Sequence, residues 1–350
     1  MKGCKTAARK PGFRIAAFAT GLTICVVMLG AFTRLVDAGL GCPDWPVCYG
    51  HVLWPMEEHE ILTANEAFPE TPVDNAKTWP EQVHRIFASS LGLFCIALVV
   101  IAGRQRFQVK DMAMPFKLSL FLLMLVILQG LFGMWTVTLK LWPQVVTAHL
   151  LGGFATLATL FLLTLRLNNT HWSITPAVAQ SLQSVKPLLS LAVIALIAQI
   201  MLGGWTTSNY AALACPDFPS CQSAWFPAMN FAAGFDIFQD IGPNYLGGVM
   251  DSAARTAIHF SHRVGAILVT LITLILIWRL LKMDCAEIEF WAKRLLVVLL
   301  LQLGLGVSNV VFALPLVVAV AHNAVGALLL LTLVGISHRV YTARVAAATR

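Results

Sequence analysis

Charge is what this sequence has least of. Asp, Glu, Lys and Arg make up 12% of its 350 residues, against 58% hydrophobic. With a mean hydropathy of +0.77, this excludes a soluble domain, whose surface needs a far larger charged share. Acidic residues are the scarcer sign, 17 against 24 basic, for a net charge of +7. That excess does not imply nucleic-acid binding, because the basic residues fall in short segments flanking apolar runs and the first outer loop is acidic. No Ala-x-Ala site follows the first apolar run, which is long for a signal peptide, so it is kept as a span. The short N-tail also lacks an Arg/Ser-rich transit segment, which favours a bacterial inner membrane over an organelle.

What the sequence does have is apolar length. Eight runs are long enough to cross a bilayer, at 14–34, 83–103, 117–138, 147–166, 187–208, 256–280, 295–313 and 317–338. An even number of spans puts both termini on one side. The N-tail (Lys2, Lys5, Arg9, Lys10, Arg14), the segments after spans two, four and six, and the C-tail hold 18 of the 24 Lys and Arg. The other side has Arg34, Lys77, Arg85, Lys140, Arg255 and Arg263. Both ends are therefore expected in the cytoplasm, with two long loops outside.

The chain repeats itself. Gly30 and Gly203, Cys42 and Cys215, Cys48 and Cys221, Gln129 and Gln302, Gly133 and Gly306, His149 and His322, and Gly153 and Gly326 are each 173 apart. His84 and His262 are 178 apart, so the second loop is five residues longer. The expected fold is an all-α integral membrane protein of two tandem four-helix bundles related by a pseudo-two-fold axis along the membrane normal. The expected division is 1–170 (outer loop 36–82), a cytoplasmic linker 171–186, and 187–350 (outer loop 209–255). Spans three to four and seven to eight should be tight hairpins. Gly130/Gly133, Gly152-Gly153 and Gly203-Gly204 allow close helix approach. Trp45, Trp54, Trp79, Trp225 and Phe226 read either as caps on the bundle mouth or as an aromatic belt.

Four of nine histidines recur in the repeat: His84, His149, His262 and His322. His51, His59, His171 and His338 lie in loops or at a helix end and are set aside. One histidine from each of two helices facing across an apolar core suits the two axial positions of a haem better than tetrahedral zinc. No Cys-x-x-Cys-His occurs, so such a haem is non-covalent. Arg85 and Arg263 follow two of the histidines as candidates for propionate pairing or for snorkelling. On a helix, Glu81 and His84 share a face about 4.5 Å apart along the axis. The second half has His259 in the place of Glu81. The first half thus carries a carboxylate one turn from its histidine, able to move protons or stabilise charge, and the second does not. The first is expected to do chemistry, the second to hold a redox haem.

Two Cys-Pro-Asp-aromatic-Pro-x-Cys loops, at 42–48 and 215–221, lie outside, where disulfides persist. A structural disulfide in each is the main expectation, with thiol–disulfide cycling of the first as the alternative. Cys4, Cys25, Cys95 and Cys285 have no evident partner.

Glu81-x-x-His84-Arg85, His149, His262-Arg263, His322 and the Cys42/Cys48 pair, on eight spans in two repeats, resemble the haem A synthase family over nearly the whole chain. The resemblance implies oxidation of the C8 methyl of haem O to a formyl group, giving haem A for terminal oxidases. It implies His84 and His149 as ligands of the substrate haem, His262 and His322 as bis-His ligands of a haem b cofactor, and Glu81 as catalytic. It also implies a functional Cys42–Cys48 disulfide and a structural Cys215–Cys221 one; the haem O synthase is a candidate partner that the sequence itself does not name. It carries no role for His259. The competing class is a di-haem b electron carrier linked to quinone, which leaves Glu81 unexplained. A thiol-oxidising membrane protein leaves the histidines idle.

Overall fold

The computed structural model describes residues 8–345. Lys2, Cys4, Lys5 and Arg350 fall outside the described residues. Ten helices are present among them: α1 (Phe13–Leu35), α2 (Glu58–Ala67), α3 (Asn75–Gly103), α4 (Phe116–Thr138), α5 (Pro143–Asn168), α6 (Pro176–Ser208), α7 (Phe231–Gly234), α8 (Ser252–Leu281), α9 (Ala286–Val311) and α10 (Leu316–Thr342). A π-helical turn, Arg104–Gln108, extends α3. All but α2 and α7 are long and apolar enough to cross a membrane. The only strands described, β1 (Ser173–Ile174) and β2 (Arg344–Val345), pair in parallel and join the segment after α5 to the segment after α10.

The spanning helices exceed the apolar runs at their polar ends. α3 begins eight residues before its run because Asp74 caps it, its carboxylate accepting from the Ala76 N–H. α6 starts at Pro176, where the Thr175 hydroxyl caps the Val178 N–H, so most of the segment expected as linker is helical. Asp251 caps α8 in the same way through Ala254. Hydropathy detects the lipid-facing turns but not the capped polar turns before them. Glu81 and His84 therefore lie about two turns inside α3.

Helices α1, α3, α4 and α5 close a ring through α1–α3, α3–α4, α4–α5 and α5–α1 contacts. Helices α6, α8, α9 and α10 close a second through the corresponding pairs. The seam joins α1 to α10, α6 to α5, and α5 to α10. α4 buries only Ser119 and Leu122, while Leu93, Ile194 and Phe290 are exposed. An apolar outer surface on a polar-poor chain is what lipid contact requires, and the eight helices fit a multi-pass membrane protein.

Backbone geometry recurs in the 173-residue register. Left-handed residues occur at Asp37 and Tyr210, Tyr49 and Gln222, Lys140 and Ala313, and Leu141 and Leu314. The last two pairs form the turns of the α4–α5 and α9–α10 hairpins, where side-chain-bearing residues hold φ between 49° and 62°. At the seam, counterparts meet directly. Arg34 donates to the Thr207 carbonyl at 2.6 Å and Tyr210 donates to Asp37 at 2.7 Å, each pair 173 apart.

Candidate functional site

The four repeated histidines sit opposite four glycines. A Cβ added to Gly30 of α1 would lie 3.0 Å from His84 Nε2 of α3, and one on Gly203 of α6 would lie 3.3 Å from His262 Cε1 of α8. On α4, Gly133 gives 3.6 Å to His149 Cε1, and on α9 Gly306 gives 3.2 Å to His322 Cε1. Each imidazole thus faces a glycine, and at Gly30, Gly203 and Gly306 a side chain would press on the ring. Sequence reasoning had the glycines as packing residues. Their shared role could have been found, since they repeat with the histidines.

In the first ring α3 and α5 stand diagonally opposite. The His84 and His149 ring centres are 6.3 Å apart with planes at 88°. Imidazole nitrogens bind divalent metals at about 2.0–2.1 Å, so two rings on one axial line through a metal have centres roughly 6 Å apart. His149 Nδ1 is buried without a hydrogen-bond partner among the described residues, as is His322 Nδ1. In the second ring, Gln199 Nε2 approaches His262 Nδ1 at 3.2 Å and donates to the His262 carbonyl at 2.9 Å. Gln302 Nε2 lies 3.3 Å from His322 Nε2. Both glutamines went unassigned from sequence; Gln302 has a counterpart in Gln129, whereas Gln199 aligns with Val26 and leaves no repeat signal. No group of three or more metal-binding side chains occurs among the described residues. The donor set is pairs of imidazoles with orphaned ring nitrogens in glycine-lined grooves. Such paired imidazoles fit a haem better than a tetrahedral ion.

Both long loops are closed by disulfides, Cys42–Cys48 and Cys215–Cys221. Among the described residues, Cys25, Cys95 and Cys285 are unpaired. In the first loop the buried Glu81 carboxylate accepts the Cys42 N–H at 3.0 Å and ion-pairs with Arg85 through its other oxygen. Arg85 also donates to the carbonyls of Asp44 (2.7 Å), Val47 (2.8 Å) and Cys42 (3.4 Å). In the second loop the His259 ring takes the carboxylate's place. Its Nδ1 accepts the Cys215 N–H at 3.2 Å, and Arg263 Nε approaches Nε2 at 3.3 Å. Arg263 donates on to the carbonyls of Ser220 and Cys215, both at 2.7 Å. The two arginines, candidates for propionate pairing or for snorkelling, bind loop carbonyls here.

The loops are further locked by aspartates. Asp44 accepts the Tyr49 and Gly50 N–H groups at 2.6 and 2.7 Å. Asp217 accepts those of Gln222 and Ser223 at 2.5 and 2.9 Å, along with the Ser220 hydroxyl. The Ser220 hydroxyl and these amides hold the Asp217 carboxyl below its ordinary value. Burial, then the nearby carboxylates, Glu81 first, raise the Tyr49 phenol. Trp54 packs with Tyr49 and Phe68 around the first disulfide. Trp45, Trp79, Trp225 and Phe226 are exposed, so of these five aromatics Trp54 alone joins that cluster.

The second loop also reaches the first ring. Trp142 Nε1 donates to the Gln239 carbonyl at 3.1 Å, Gln144 donates to Ile237 at 3.0 Å, and the Tyr245 N–H bonds the Lys140 carbonyl at 3.1 Å. It thus packs on the α4–α5 hairpin, two turns from His149.

The family profile of COX15-CtaA, described as cytochrome oxidase assembly protein, matches residues 13–334. Heme A synthase of Shewanella oneidensis is 45% identical over 316 residues, covering 90% of this chain and 92% of the relative. Those of Halalkalibacterium halodurans and Caulobacter vibrioides are 27% and 26% identical, over 89% and 91% of this chain and 90% and 93% of theirs. A profile match across nearly all eight spans, joined to a relative of this identity and coverage, establishes that the chain belongs to the COX15-CtaA family of cytochrome oxidase assembly proteins.

Proposed function

We propose that this protein is a haem A synthase, an oxidoreductase that converts the C8 methyl group of haem O to a formyl group. The observation that carries the reading is the single chemical break in a repeated site: Glu81 in the first ring, His259 in the second, each on the same amide and beside the same arginine. A protein that only relayed electrons between two equivalent haems would have no use for that break.

In this reading the units are 1–170 and 187–350, related by a two-fold axis along the membrane normal. The seam contacts between counterparts 173 residues apart support it, since residues on such an axis meet their own repeats. The bundle lies in a bacterial inner membrane with both termini cytoplasmic and the histidine sites toward the outer face. The distribution of Lys and Arg supports that orientation.

His84 and His149 hold the substrate haem, and His262 and His322 hold a non-covalent haem b. When bound, haem b supplies one-electron transfer, which a four-electron methyl-to-formyl oxidation needs. Glu81 is 5% exposed and sits one turn from His84, so its carboxylate can hold or pass a proton at the first site without open contact with water. Arg85 ion-pairs with that carboxylate and fixes the disulfide loop above it. A haem propionate at Arg85 would have to displace the Asp44 and Val47 carbonyls; Arg85 and Arg263 therefore serve first as loop latches. The Gln199 and Gln302 amides orient the ring planes of the second pair. Haem O arrives from the haem O synthase.

The test is Glu81→Gln, which keeps shape and removes the charge. Formyl production should stop while the haem b spectrum stays intact. Turnover near the unaltered rate would remove Glu81 from the chemistry.

A further inference from the structure

At the helix ends farthest from the disulfide loops, a cavity of about 870 Å³ opens between the two rings. The first ring contributes Lys10, Arg106, Lys117 and Arg166, and the second contributes His338 and Arg344. Among the described residues, no Asp or Glu lines it. Lys10 is paired at 3.2 Å with Asp111, which lies beside the cavity, and Arg106 donates to the Met112 carbonyl at 2.6 Å. Lys117, Arg166 and Arg344 form no ion pair among the described residues. Like charges gathered in a concave site raise one another's energy until an anion joins them.

His338 adds a second, independent sign of a ligand. It is 8% exposed and lines the cavity, yet its Nδ1 has no hydrogen-bond partner among the described residues. A buried polar atom left unpaired destabilises its site, and a ligand that reaches the imidazole would offset that cost. The remaining wall is apolar, with Phe107, Phe116 and Leu120. Phe107 and Leu120 are exposed at 66% and 42%, so this wall runs out onto the lipid-facing surface.

We propose that this cavity binds an anionic phospholipid, its phosphate held by Arg166, Lys117, Arg344 and His338 and its acyl chains on the Phe107–Leu120 wall. The cationic end alone would suit any phosphate, and the apolar wall alone any lipid. Only a ligand with both parts satisfies the cavity, and continuity with the bilayer gives that ligand a path in.

The experiment uses the full-length, haem-loaded protein in a neutral detergent. Native mass spectrometry and thermal unfolding are run with phosphatidylglycerol, phosphatidylcholine or sodium phosphate at equal concentration. Phosphatidylglycerol should be retained and should raise the unfolding temperature, the other two not. Lys117→Gln with Arg166→Gln should weaken retention by roughly fivefold per removed charge. Lys293→Gln, which breaks only an exposed pair with Glu289, should leave retention unchanged. Equal retention of phosphatidylcholine, equal stabilisation by phosphate, or undiminished binding by the double variant would each overturn the proposal. The comparison of ligands on the unaltered protein stands even if a variant fails to fold.

Discussion

Glu81 and His259 hold the same backbone amide in two halves of one molecule. The Glu81 carboxylate accepts the Cys42 N–H at 3.0 Å, and the His259 ring accepts the Cys215 N–H at 3.2 Å. The chemistry of the two posts differs. A carboxylate accepts at both oxygens, so Glu81 serves the amide and Arg85 together. A neutral imidazole accepts at one nitrogen only, so His259 cannot satisfy both Cys215 and Arg263.

From this follows the behaviour of His259→Glu. The new carboxylate should accept from both donors and tighten the second loop, raising the unfolding temperature without creating a second site of turnover. A fall in unfolding temperature, measured on the haem-loaded protein, would mean that the ring is better matched to its neighbours than the hydrogen-bond count allows.

Arg85→Leu should loosen the first loop and leave Glu81 a buried, unpaired charge, costing about 3–5 kcal/mol. The direct readout is alkylation of Cys42 and Cys48 under mild reductant, which should speed up while Cys215 and Cys221 stay protected. Arg85→Lys should rescue only partly, since one ammonium cannot span the carbonyls that the guanidinium fork reaches. Equal alkylation of both loops would assign the latch elsewhere.

The glycine grooves separate two substitutions that a sequence comparison would treat alike. An alanine at Gly30 meets His84 at 3.0 Å, tighter than ordinary contact, whereas one at Gly133 meets His149 at 3.6 Å. Gly30→Ala should lower haem occupancy of the first ring and shift its absorption spectrum. Gly133→Ala should retain the haem and gain about 0.5–1 kcal/mol from reduced backbone freedom. Identical spectra and occupancy for both variants would show that the grooves do not constrain the rings.

Acid should loosen the second loop through Asp217. Its carboxyl is held below the ordinary value by the Ser220 hydroxyl and the Gln222 and Ser223 amides. A depressed carboxylate contributes stability that is present above the unfolded value of about 3.9 and lost as pH falls through the folded value. Hydrogen exchange at Gln222 and Ser223, corrected for intrinsic rate, should show protection constant at neutral pH and falling below about pH 4. In Asp217→Asn the protection should be weaker throughout and lack that acid transition. An acid transition that survives the substitution would belong to another group.

Much of this was legible because the chain is written twice. Periodicity of apolar runs located all eight spans, and the repeat singled out His84, His149, His262 and His322 from nine histidines. What periodicity could not supply was the polar start of α3, α6 and α8, because Asp74, Thr175 and Asp251 act through caps that hydropathy does not weigh. Nor could it supply Gln199, whose counterpart is Val26, or the arginine latches, which need the loop folded back onto the helix. His338 was set aside as a helix-end residue, and only its burial beside a cluster of cations gives it a partner to seek.

The central claim, that the first ring does chemistry on a haem while the second holds haem b, is tested most directly by extracting the pigments. The purified protein, co-expressed with a source of haem O, should yield haem b together with haem O or haem A. Haem b alone, two per chain with haem O freely available, would contradict the account and make this member of the family an electron carrier.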